Sequence, residues 1–88
     1  MRKHSTFRAR SAAYVITTTE GATLHLDRLR RRAHDFDPAT RDRLIAGAMI
    51  PSSLVMKAQK VRRWYRAQVL ALFEDVDVIL APATPCTA

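Results

Sequence analysis

Asp75-Val76-Asp77-Val78-Ile79-Leu80-Ala81-Pro82-Ala83-Thr84-Pro85 is the stretch on which the fold turns. Its apolar, β-branched centre predicts a short buried strand over about residues 76–80, followed by a proline-punctuated loop. A strand by itself cannot satisfy its backbone N–H and C=O groups, so it needs a sheet. No other stretch of the chain offers it a convincing neighbour. The missing strands come either from another chain or from a larger fold of which these residues are a piece, and the second is the expectation here.

Upstream of that strand the pattern is helical. Leu54, Ala58, Val61, Tyr65, Gln68 and Leu72 recur at a helical period, which predicts a helix over about 53–73. Lys57, Lys60, Arg62, Arg63 and Arg66 occupy much of its remaining surface. Pro51 breaks the pattern before it, and Ser52 or Ser53 is placed to cap it. A second helix, about 38–48, has Asp37 as N-cap and Pro38 at its first position, with Leu44, Ile45, Ala48 and Met49 as an apolar stripe. A first helix is expected over about 11–29, from Ala12 and Ile16 and from Ala22, Leu26 and Leu29. Tyr14-Val15-Ile16-Thr17-Thr18-Thr19 favours a strand locally, and packing has to override that preference. Residues 1–8 read as a basic, disordered leader, and 9–88 as one partial domain. The expected order is three helices and then one short strand.

The 88 residues include 15 Lys and Arg against 8 Asp and Glu, a formal net charge of +7. Such a balance favours anionic partners, nucleic acid among them, although a solvated arginine-rich surface is the simpler reading. Part of the cluster Arg28, Arg30, Arg31 and Arg32 is explained by its place at a helix C-terminus, where the dipole favours cations. One cysteine, Cys86, rules out an internal disulfide and suits a reducing, cytoplasmic setting. No uninterrupted apolar run approaches the ~20 residues of a membrane-spanning helix.

Most enzyme chemistries find no support. Gly21 and Gly47 are the only glycines and lie far apart, so neither a phosphate-cradling loop nor a dinucleotide fingerprint can form, and no cofactor is expected. His4, His25, His34 and Cys86 lack the paired spacing of a zinc site, and no metal is expected. Cys86 with His25 as base is a paper possibility, but a small loop residue is the simpler account. Ser52 and Ser53 lack the glycine-rich turn and oxyanion donors of a nucleophilic serine. Arg43 is more informative. It sits early in the second helix, next to the apolar stripe, where a guanidinium can grip a carboxylate with two hydrogen bonds. Pairing with Asp42 or Glu20 is the structural alternative.

Three blocks together resemble the amidase signature family of amide hydrolases. Tyr14 through Glu20-Gly21-Ala22 is similar to the family's helix that carries an aromatic and a Glu-Ala pair. Arg41-Asp42-Arg43-Leu44-Ile45-Ala46-Gly47 is similar to its Arg-Arg-Ile-x-x-Gly segment, with Asp42 standing where arginine is common. Ala58 through Arg62, running on through Phe73 to Asp77–Pro85, resembles its long helix followed by an Asp-x-apolar-apolar-x-Pro-Thr-x-Pro strand and loop, with Ala83 and Thr84 shifted. The resemblance covers about residues 8–88. Glu20-Gly21-Ala22 and His25-Leu26-Asp27-Arg28-Leu29 are similar to the carboxybiuret hydrolase-like amidases of bacterial nitrogen metabolism.

This resemblance implies an α/β parent fold, a mixed sheet covered by helices, of which this chain is a mainly α fragment from the C-terminal half. It implies hydrolysis of carbon–nitrogen bonds in small amides by two serines and a lysine. The family carries these in a Gly- and Ser-rich signature and in a lysine before it, both upstream of the matched blocks. No catalytic residue is therefore assigned here, and Lys57 and Lys60 belong to the wrong block. The resemblance also implies that Arg43 recognises a substrate carboxylate and that Tyr14 lines the pocket. The remainder of the amidase domain is the implied partner, needed to complete the sheet. Two rivals stay open: a small basic helical module that binds nucleic acid, and an interaction subunit whose strand joins a partner's sheet.

Overall fold

Residues 3–86 are described by the computed structural model of the chain. Lys3–Arg32 forms a single 30-residue helix, α1. It starts well before residue 11, so Lys3–Arg10 continues the helix and is not a loose leader; Met1 and Arg2 lie outside the described residues. The extension runs along the seam with the third helix, where Phe7 and Arg8 line one groove and Ala9 another. Helix also prevails over the strand preference of residues 14–19. Ala12 and Ile16 are buried there. Thr18 and Thr19 donate their hydroxyls to the carbonyls of Tyr14 and Val15, each at 2.7 Å, so even the 4% exposed Thr18 has its polar group satisfied inside the helix.

Arg30, Arg31 and Arg32 close α1, and a 3-10 turn over Ala33–Asp35 follows. Pro38–Ala48 forms α2, with Pro38 at its start and the Asp37 carboxylate accepting from the Thr40 backbone N–H at 3.2 Å. Ser52–Leu72 forms α3. Pro51 stands at its N-cap, and no side chain caps it, so neither Ser52 nor Ser53 plays the capping part expected of them. The extended Pro51 already presents its carbonyl to the N–H groups of Leu54 and Val55, at 3.0 and 3.3 Å.

The register follows from a few contacts. A Cβ on Gly21 would meet Leu44 Cδ2 at 2.9 Å, and one on Gly47 would collide with the Thr18 carbonyl. Moving up α1 from 18 to 21 therefore moves down α2 from 47 to 44, and the two helices run antiparallel. Ala58 packs with Ala12 and Ile16, while Trp64 lies near Arg8, so α3 is antiparallel to α1 as well. Thus α2 covers the second half of α1 and α3 covers the first, like two lengths of one broken rod laid along an unbroken one.

The expected strand over 76–80 is not formed. A turn over residues 73–75 ends α3, and residues 76–86 have neither helix nor strand and are exposed throughout, Leu80 by 92%. The reason is the one that made the segment conspicuous. No strand exists among the described residues to pair with it, so its backbone groups stay with water.

The assembly is open. Its surface is 7683 Å², whereas a compact monomer of 10.0 kDa presents about 5,200 Å². Its radius of gyration is 16.3 Å, against about 12 Å for a compact domain of this length. The extents, 51 × 36 × 20 Å, describe a slab about two helices thick. The core is correspondingly thin: Ala12, Ile16, Ala22, Leu29 and Ala58 are its buried apolar residues.

Candidate functional site

The Thr18–Gly47 crossing organises the two residues that the resemblance singled out. Tyr14 lies one turn before Thr18 on α1 and is 53% exposed. Arg43 lies one turn before Gly47 on α2 and is also exposed. Because the helices are antiparallel, the two residues fall on opposite sides of the crossing, separated by about two turns, or roughly 11 Å of axis. They do not form a pair.

Arg43 has no ion-pair partner among the described residues. Asp42, one of its two possible structural partners, is engaged by Arg41 at 3.4 Å, and Glu20 makes no ion pair there either. Two further arginines are engaged near the end of α1. Arg31 pairs with Asp27, and Arg32 with Asp35 at 2.6 Å. These exposed pairs contribute little to stability, and Arg43 takes part in none of them. A planar carboxylate is the ligand that its guanidinium fork fits best.

A groove opens where the three helices meet, with Thr19, Glu20 and Thr23 on α1, Gly47 on α2 and Ser52 on α3 along it. The Thr19 and Thr23 hydroxyls already donate to helix carbonyls, at 2.7 and 2.8 Å, so they face any occupant chiefly as acceptors. Glu20 is the charged group of this groove. No signal in the sequence placed Ser52 beside Glu20, because the two belong to different helices and only the α1 crossing brings them to one groove.

The remaining candidates are placed as follows. His25 is half-buried in α1, its ring edge-on to Phe36 with centroids 6.1 Å apart, and its Nδ1 is buried without a hydrogen-bond partner. Cys86 is exposed on the irregular segment, its carbonyl accepting from the Thr84 hydroxyl at 2.6 Å. Among the described residues, no three His, Cys, Asp or Glu side chains converge as metal ligands. No described helix is long and apolar enough to cross a membrane.

Antiparallel helices with an apolar segment left unpaired beyond them bring together no complete catalytic constellation among the described residues. The Amidase family model matches residues 1–88, and the chain belongs to that family. It is 52% identical over 79 residues to AtzE, the 1-carboxybiuret hydrolase component of Pseudomonas sp. strain ADP, covering 90% of this chain. It is 42% identical over 64 residues, 67% of this chain, to a component of the glutamyl-tRNA(Gln) amidotransferase of Acinetobacter baumannii strain AYE. The chain spans only 17% of the first relative's length and 13% of the second's. Among solved structures, its helices superpose on an inhibitor-bound vestigial protein complex that bears on the origins of an s-triazine catabolic enzyme. The TM-score is 0.71 and the identity 51%, over 76% of this chain and 15% of that one. The three helices are thus a fragment of the amidase-signature fold.

Proposed function

We propose that these residues are one wall of an amide-hydrolase pocket, with Arg43 binding a carboxylate on the substrate and Tyr14 lining the cavity. The parent activity is hydrolysis of a carbon–nitrogen bond in a small amide, in the cytoplasm. The observation that carries this reading is Arg43 itself: an exposed, unpaired guanidinium on the α2 segment that matches a family of amide hydrolases, while the neighbouring Arg41 takes the nearest acid. A carboxylated urea-type molecule suits it, since two parallel hydrogen bonds would set the plane of the substrate.

The attacking serine, its partner serine and the lysine belong to the rest of the amidase domain, so the 88 residues alone are not catalytic. Purified chain is expected to leave simple amides unhydrolysed. Turnover that disappears on Ser52→Ala or Ser53→Ala substitution would overturn this reading. In a complete amidase carrying this segment, Arg43→Gln is expected to lower kcat/KM for a carboxylated amide by about 100-fold, the loss of a charged hydrogen-bonded pair. The effect on an uncharged amide should be several-fold smaller. Equal losses on both substrates would remove Arg43 from carboxylate recognition.

A further inference from the structure

The first half of α1 and the whole of α3 carry no acid in their own sequence, the next one being Glu74 just past α3. Residues 1–19 and 43–73 include no Asp or Glu, and among the described residues every ion pair lies between Asp27 and Asp42. Arg8, Lys57 and Lys60 form no ion pair among the described residues. Two of them, Arg8 and Lys57, border one groove of about 480 Å³ along the α1–α3 seam, lined also by Phe7, Ser11 and Leu54. Lys60, one turn beyond Lys57, and Trp64, one turn beyond Lys60, continue the same side of α3. The Arg8 guanidinium lies 5.8 Å from the centroid of the Trp64 ring, joining the two helices across the seam. Phe7 is 72% exposed and Trp64 40%.

We propose that this groove binds single-stranded nucleic acid without sequence preference, with phosphates on Arg8, Lys57 and Lys60 and bases stacked on Trp64 and Phe7. An acidic protein surface would neutralise the cations but leave the flat ring faces in water. A nucleotide strand alternates charge and π-face along its length, as this groove does, and every base can stack. The reading does not depend on the amide-hydrolase assignment, because no hydrolytic group enters it.

The test is fluorescence anisotropy of the full 88-residue chain with a labelled short oligothymidine. Three phosphate contacts on a single strand predict that affinity falls about 20-fold between about 50 mM and about 200 mM salt. Trp64 is the chain's one tryptophan, so its fluorescence reports stacking directly and is expected to be quenched at saturation. Lys57→Gln with Lys60→Gln should weaken binding and flatten the salt dependence while leaving the helical circular dichroism unchanged, since both side chains are exposed. Absence of binding at the lower salt, or binding indifferent to the double substitution, would overturn the proposal. So would polyglutamate displacing the oligonucleotide at equal charge concentration with no change in Trp64 emission, which would assign the groove to an acidic protein surface.

Discussion

The two glycines show how much a single Cβ decides in so thin a core. Neither has a positive φ, so their role is one of approach, not of backbone freedom. At Gly47 a methyl group would stand 2.7 Å from the Thr18 carbonyl carbon and closer still to its oxygen. Both helices would have to part, and Gly47→Ala is expected to destabilise by about 1–3 kcal/mol, the usual range for overpacking. At Gly21 the obstacle is Leu44 Cδ2, the end of a side chain that can rotate away. Gly21→Ala gains up to about 1 kcal/mol of helix propensity and is expected to be neutral or mildly stabilising. Urea titration followed by circular dichroism on the two variants checks the contrast, and equal effects would mean that α1 and α2 do not cross at Thr18 and Gly47. The same scale explains which readings of the sequence held. Asp37 and Pro38 make their cap from bonds within a few residues, so they were legible. Arg43 offered Asp42 or Glu20 as partners on paper, and only the positions of Arg41 and α1 show that it pairs with neither.

Among the elements, the helices and the Val76–Leu80 segment behave oppositely because they close their hydrogen bonds differently. A helix satisfies its backbone internally, so an apolar period over residues 54–72 is enough to place α3. A strand satisfies its backbone only through neighbours, and the described residues provide none. Val78→Pro is therefore expected to leave the urea midpoint of the 88-residue chain unchanged within about 0.5 kcal/mol, as for a surface substitution. Hydrogen exchange should find the amides of residues 76–80 unprotected while those of residues 12–22 in α1 are slowed. Protection at 76–80 would mean that the segment pairs in solution. The apolar stripe of α2 is instructive in another way. Leu44 turns toward Gly21, but Ile45 and Met49 face outward. Their spacing marked them as buried, and it still does if the rest of an amidase domain lies on that side.

Taken as a whole, the molecule presents about 2,500 Å² more surface than a compact monomer of its mass, more than a standard protein–protein interface buries. Its exposed apolar side chains, Leu24, Met49, Met56 and Leu80 among them, are expected to bind a hydrophobic dye strongly. Thermal unfolding of the isolated chain should be broad rather than sharply cooperative. A sharp, concentration-independent transition of a monomeric species would contradict the picture of an open fragment. The sequence by itself determined the three helices, the Asp37–Pro38 start of α2 and the family, because periodicity and local hydrogen bonding are written residue by residue and three blocks in order are specific together. Only the tertiary structure decided that α2 and α3 lie end to end along α1, that Gly47 sits on the Thr18 backbone, that Ser52 shares a groove with Glu20, and that the apolar segment past α3 remains unpaired. Those outcomes depend on which surfaces meet across the chain, and a contact between distant residues leaves no trace in the spacing of either.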